Sequence, residues 1–385
     1  MLTREMVSLR ELGVNGVVNA TGTLTVLGGS VLSDEVLAAM SEAAKVYVDM
    51  EELHLKAGEY VAQMLGVESA YIVDGAAAGL VLCVAACLTQ GERAKALALP
   101  NTLGMPNKIL IQKVHRNMYD YAATIPGALL VEIGSSDGTR REELEGAVDH
   151  NTAGILYVAY DPQPNAIPLE AAIEIAHKHG IPVIVDAAAE LPPAQNLTKF
   201  VKMGADMVVF SGGKDIGAPN DTGLIVGKKR WIDVCRELGP QSYRKVGSET
   251  KVFIGRPMKV SKEDILGFVT ALRRYLEVDH DKRLERWGEV AAFIAREIST
   301  LRGVRTRVVV GHGSGHPRPS TIPKVEVEFE QPIAELVRSR LIERQPPVYT
   351  YIVGGKLCVN PQCLREGEQE IVVNRLKEVI SEFKV

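Results

Sequence analysis

The chain has 385 residues, 46% of them hydrophobic and 24% charged. Such a chain must bury a large core, which excludes a small disulfide scaffold, a disordered polymer and a collagen-like fibre. Forty-four Lys plus Arg against 48 Asp plus Glu leave a formal charge of −4, without the basic surplus that a dedicated nucleic-acid binder needs to neutralise phosphates.

Met1 to Asn15 carries Arg4, Glu5, Arg10 and Glu11 in place of an apolar signal segment, and no apolar run reaches the ~18 residues of a membrane span. The five cysteines form no C-x-x-C pair and read as reduced, buried thiols of a cytoplasmic protein. From Val36 to Leu65 apolar residues recur at helical spacing. Ser69–Val73 then reads as a buried strand, Asp74–Gly79 as a glycine turn and Leu80–Leu88 as a helix of small residues. Further strands are expected at Ile109–Val114, Leu129–Ile133, Gly154–Tyr160, Ile181–Val185, Met207–Phe210 and Thr222–Val226. Helices are expected at Glu142–Val148, Leu169–His179 and Leu197–Met203. Wholly apolar strands alternating with helices indicate an α/β domain with a mostly parallel sheet covered on both faces, whose reactive groups lie beyond the strands' carboxyl ends.

Past Lys228 the pattern changes. Lys262–Leu276 and Arg283–Leu301 read as long amphipathic helices. Val304–Val310, Lys324–Phe329 and Lys356–Val359 read as strands, with Pro332–Glu343 and Glu366–Phe383 as helices between and after them. The expected division is an N-terminal segment 1–35, a large α/β domain 36–255 and a smaller α+β domain 256–385.

The chemistry concentrates at two strand ends. Asp186 follows Ile181–Val185, and Lys214 follows Met207–Phe210 through Ser211-Gly212-Gly213; the two stand 28 positions apart. Alone, the Asp is a turn cap and the Lys a solvated cation. In this order on neighbouring strands, a lysine able to form a Schiff base faces a carboxylate able to hold a protonated pyridine nitrogen, the arrangement required by pyridoxal 5'-phosphate. The turn Gly75-Ala76-Ala77 at a helix start supplies amides and a positive dipole end for the cofactor phosphate, and the Ser211 hydroxyl adds a donor. Neither a P-loop nor a dinucleotide fingerprint is present. His115 and Arg116, after the strand ending near Lys113, offer a ring to stack on the cofactor and a guanidinium for a substrate carboxylate or phosphate. His312 and His316 have a metal-compatible spacing only on a helix, which the surrounding glycines and Pro317 oppose, so no metal site is expected.

The set Asn19-Ala20-Thr21-Gly22-Thr23, Asp74-Gly75-Ala76-Ala77-Ala78-Gly79, His115-Arg116-Asn117-Met118-Tyr119-Asp120, Asp186-Ala187-Ala188-Ala189-Glu190, Ser211-Gly212-Gly213-Lys214 and Gly255-Arg256-Pro257-Met258-Lys259-Val260 resembles the selenocysteine synthase (L-seryl-tRNA selenium transferase) family. Within it, the likeness is greater to the D-glucosaminate-6-phosphate ammonia-lyase branch. The resemblance spans about residues 12 to 380 and implies a fold-type-I pyridoxal phosphate enzyme with its active site at a homodimer interface. It makes Lys214 the cofactor lysine, Asp186 the partner of the pyridine nitrogen, and Gly75, Ala76, Ala77 and Ser211 the phosphate cradle. His115 becomes the ring-stacking group and Arg256 an anion contact for substrate, a structural salt bridge being the alternative.

The tRNA-acting members carry an additional N-terminal region, whereas here the likeness begins within about fifteen residues of Met1; with the acidic balance, this disfavours a nucleic-acid partner. The expected activity is a lyase that takes the Cα proton of an amino acid or amino-sugar acid, eliminates a Cβ group and yields a 2-keto acid and ammonia. An amino-acid racemase, an aldolase and L-seryl-tRNA selenium transferase remain the alternatives, since the same electron sink serves them all.

Overall fold

Seven apolar segments pair into the central sheet of the computed structural model, which describes residues 7–159, 165–311 and 316–383. In chain order they are β1 (Ser69–Val73), β2 (Lys108–Gln112), β3 (Leu129–Ile133), β4 (Thr152–Val158), β5 (Val183–Asp186), β6 (Met207–Ser211) and β7 (Gly223–Gly227). Their spatial order is β1-β7-β6-β5-β4-β2-β3, and β7 alone runs antiparallel to its neighbours. The sheet is mostly parallel, as expected from strands lacking a polar face. The expected ends differ from the observed ones by a residue or two, and Tyr160 lies outside the described residues.

Alternate residues of each strand feed two cores. Leu110, Ile155, Tyr157, Val185, Val208 and Phe210 pack under helices α1 (Asp34–Ala44), α2 (Met50–Leu65), α4 (Leu169–Lys178), α5 (Asn196–Lys202) and α7 (Lys262–Glu277). Ile109, Ile111, Leu156, Ile184 and Val209 pack under α3 (Gly75–Thr89) and α6 (Lys229–Glu237). Helix α3 is built of small residues because it lies almost on the sheet: a Cβ on Gly79 would sit 2.8 Å from a methyl of Val209. Helix α2 starts where the Asp49 carboxylate accepts from the amides of Glu51 and Glu52, and stops at Gly66, whose φ of +64° suits glycine.

Two compact units result, one of residues 30–278 and one joining residues 1–29 to 279–385. Helix α7, grouped by the sequence with the second domain, packs on α1 and α2 of the first unit. Helix α6 and the exposed hairpin of β8 (Tyr243–Val246) and β9 (Glu249–Val252) are not among the expected elements and lie in the first unit. The second unit holds a four-stranded antiparallel sheet of β10 (Val304–Val309), β11 (Lys324–Phe329), β12 (Tyr351–Val353) and β13 (Lys356–Val359). Helices α8 (His280–Ile298), α9 (Ala334–Glu343) and α10 (Glu368–Ser381) share its core, and Val18–Asn19 pairs with Val348–Tyr349. Among the described residues no helix is long and apolar enough to cross a membrane.

Candidate active site

The strand register gathers the sequence-selected residues at one edge. Val73 pairs with Gly223 and Gly223 with Ser211, so the start of α3 and the Ser211–Lys214 turn leave the sheet side by side. Asp186 pairs with Val209 on one side and Val158 on the other, and β2, running parallel, delivers His115 to the same edge. One sheet edge therefore carries Asp186, Ser211, Lys214, His115 and the helix start Gly75-Ala76-Ala77.

Close backbone approach shapes the anion end. A Cβ on Gly223 would stand 2.5 Å from the Gly75 carbonyl carbon and 2.8 Å from the Ala76 nitrogen, so β7 and the α3 start touch through backbone alone. Asp74 precedes the helix without capping it through its side chain, leaving the first-turn amides to serve another acceptor. Its carboxyl is raised above the ordinary range, first by burial and then by the nearby Asp221 and Asp264.

Lys214, half-buried, sits in a turn fixed from both sides. The Gly212 amide donates to the Thr222 carbonyl at 2.8 Å, the Gly217 amide to the Lys214 carbonyl at 3.1 Å, and the Thr222 hydroxyl to the Pro219 carbonyl at 2.6 Å. A Cβ on Gly213 would lie 2.5 Å from the Asn220 Cα, which explains the glycine pair before the lysine. The Asp186 carboxylate accepts from the Ala188 amide at 3.0 Å, and its carbonyl from the Ala159 amide at 2.8 Å. His115 is 1% exposed and stands edge-on to Tyr157, with ring centroids 4.5 Å apart.

The two arginines differ. Arg116 is committed to carboxylates, with Asp120 at 2.5 Å and a second ion pair to Glu132. Arg256 follows Gly255, where a Cβ would press on Leu238 and lie 2.9 Å from the Gly239 Cα, so only glycine lets this turn pack. It lines a cavity of about 750 Å³ with Arg244, Lys259, Ser242, Tyr243 and Asp49, and that lining includes none of Lys214, Asp186, Ser211 or His115. Among the described residues neither Arg256 nor Lys259 forms an ion pair. Lys259, three residues after Arg256 in the same motif, and Tyr157, inside an apolar strand, carry no distinguishing sequence signal of their own. Gln112, the polar last residue of β2, was the available signal for that neighbourhood.

The ring nitrogens of His316 bond to Tyr351 Oη at 3.0 Å and Glu326 Oε1 at 3.1 Å. His312 lies outside the described residues. Among the described residues no cluster suited to a metal ion occurs. The cysteines are free, Cys83, Cys87, Cys235 and Cys358 buried and Cys363 half-buried.

Two curated relatives extend over nearly the whole chain. A 5'-C-glycyluridine monooxygenase-decarboxylase of Streptomyces sp is 34% identical, covering 96% of this chain and 91% of the relative. A D-glucosaminate-6-phosphate ammonia lyase of Salmonella typhimurium is 31% identical, covering 96% and 97%. A solved structure of D-glucosaminate-6-phosphate ammonia-lyase superimposes with a TM-score of 0.82 at 30% identity, over 97% of this chain and 98% of that one. The architecture is that of fold-type-I pyridoxal phosphate enzymes, shared even with proteins as distant in sequence as a serine palmitoyltransferase of Sphingomonas wittichii (TM-score 0.60, 14% identity). With residues 17–364 matching the model of L-seryl-tRNA selenium transferase, the chain belongs to that family.

Proposed function

We propose that the chain is a pyridoxal phosphate-dependent lyase that removes ammonia from an amino acid or amino-sugar acid, of the D-glucosaminate-6-phosphate ammonia-lyase kind. The observation that carries this reading is the gathering of Lys214, Asp186, Ser211 and the α3 start on one sheet edge, in a chain 31% identical to such a lyase. The residues fit the cofactor: first-turn amides without a side-chain cap and the hydroxyl of Ser211 suit a phosphate, Asp186 suits a protonated ring nitrogen, and the His115 ring suits a flat aromatic face. When bound, pyridoxal phosphate supplies an electron sink that stabilises negative charge at the substrate Cα.

The chain's own groups do the rest. Lys214 Nζ takes the Cα proton. Asp186, whose carboxylate accepts from the Ala188 amide, would hold the protonated ring nitrogen. Loss of the Cβ hydroxyl as water, regained at Cα, leaves ammonia as the net departure and a 2-keto acid as product. Arg256 is the favoured contact for the substrate's anionic group, because Arg116 is already shared between two carboxylates. Exposed Tyr47, Leu103, Met118, Tyr119 and Tyr121 support a homodimer, and free cysteines support the cytoplasm.

The test is incubation with D-glucosaminate 6-phosphate, scoring ammonia and 2-keto acid, with borohydride reduction and peptide mapping of the labelled lysine. Absence of both products together with a label elsewhere than Lys214 refutes the proposal. A second reading is favoured by the 34% identity to the glycyluridine enzyme: a nucleoside-linked amino acid as substrate, tested by oxygen uptake with 5'-C-glycyluridine.

A further inference from the structure

Three separate elements meet at the backbone of Ile167. Gln112, the last residue of β2, is 3% exposed; its side-chain amide donates to the Ile167 carbonyl at 3.2 Å, and its oxygen accepts from the Ile167 amide at 2.7 Å. The Tyr157 hydroxyl of β4 donates to the same carbonyl at 3.2 Å. The register that pairs Ile111 with Leu156 puts Gln112 alongside Tyr157 on one face of the sheet, and Ile167 enters from the chain leading into α4. Only a carboxamide satisfies a peptide N–H and C=O together; Glu supplies the acceptor alone and Leu neither.

His115 rests on this junction twice. It ends the single tight turn that follows Gln112, so the orientation of the strand end passes directly to it. Its ring also packs edge-on against Tyr157. A cavity of about 280 Å³, lined by His115, Tyr157, Ala159, Pro168 and Leu169 among others, opens beside the pair. The Tyr157 hydroxyl is pushed up to about 12 by burial, with a smaller push from Glu170, and therefore donates throughout the physiological pH range.

The geometry points to Gln112 and Tyr157 as positioning residues that set the His115 ring through the Ile167 peptide. This rests on the reading of His115 as the group that covers the cofactor ring. Neither residue touches the reacting atoms; both act through His115, and their effect on cofactor binding disappears when His115 has no ring to place.

The experiment is a double-mutant cycle of Gln112→Leu with His115→Ala. Two quantities are read: the dissociation constant for pyridoxal phosphate by absorbance titration, and the induced circular dichroism of the bound cofactor, which reports ring placement. Gln112→Leu is expected to weaken cofactor binding about tenfold beside native His115 and less than about twofold in the His115→Ala background. Equal losses in both backgrounds overturn the inference, because a merely structural glutamine costs the same with or without the ring. If His115→Ala alone changes neither quantity, the assignment of His115 to the cofactor fails, and the inference with it. Should Gln112→Leu not fold, Gln112→Glu and Tyr157→Phe complete the same cycle, each removing one donor to the Ile167 carbonyl.

Discussion

Gly223→Ala perturbs the proposed cofactor site without touching a polar group. The added methyl would stand 2.5 Å from the Gly75 carbonyl carbon and 2.8 Å from the Ala76 nitrogen, against an ordinary contact of about 3.5–4 Å. Backbone on both sides prevents a side chain from yielding, so the start of α3 must move about 1 Å. Overpacking of this kind costs about 1–3 kcal/mol of stability. A displacement of about 1 Å in groups that position a ligand costs up to about a hundredfold, so the pyridoxal phosphate dissociation constant should rise about 10- to 100-fold. Apoprotein titrated by absorbance gives that constant, and urea unfolding gives the stability. Gly66→Ala is the control: its φ is +64° and no heavy atom lies within 4 Å of the new Cβ, so it should lose about 1–2 kcal/mol to backbone strain and leave cofactor affinity alone. If Gly223→Ala destabilises the protein while its cofactor affinity stays within about twofold of the native value, the α3 start does not hold the phosphate and the site reasoning is wrong.

Arg116→Ala should cost about 1–3 kcal/mol in urea unfolding, because it strips the ion pair from Asp120, whose side chain is 7% exposed. Arg256→Ala should leave stability within about 0.5 kcal/mol and appear instead as a raised KM for an anionic substrate in steady-state assays; an unchanged KM removes Arg256 from the substrate site. His54, held at about 4 by burial and by Arg236, stays neutral in the folded protein while the unfolded chain takes up a proton below about pH 6.5. Stability present above pH 6.5 is therefore lost as pH falls towards 4, by about 3 kcal/mol at most, and His54→Phe should flatten that acid limb of the urea midpoint.

The sequence by itself determined the α/β class, the seven sheet segments to within a residue or two and the order of candidate groups along them, because wholly apolar strands and helical spacing are local patterns. Short-range chemistry also marked the glycines before Lys214 and at the start of α3. Tertiary structure alone decided that β7 runs antiparallel between β1 and β6, which sets the start of α3 beside Ser211; pairing direction is a property of two strands, invisible in either. It also decided that α7 packs with the first unit, that Arg116 is absorbed by Asp120 and Glu132 while Arg256 is not, and that Gln112 and Tyr157 meet at Ile167. Each depends on partners 4 to 55 positions away along the chain or on another element, and such contacts are chosen by the packing of the whole sheet rather than by any residue's own propensity.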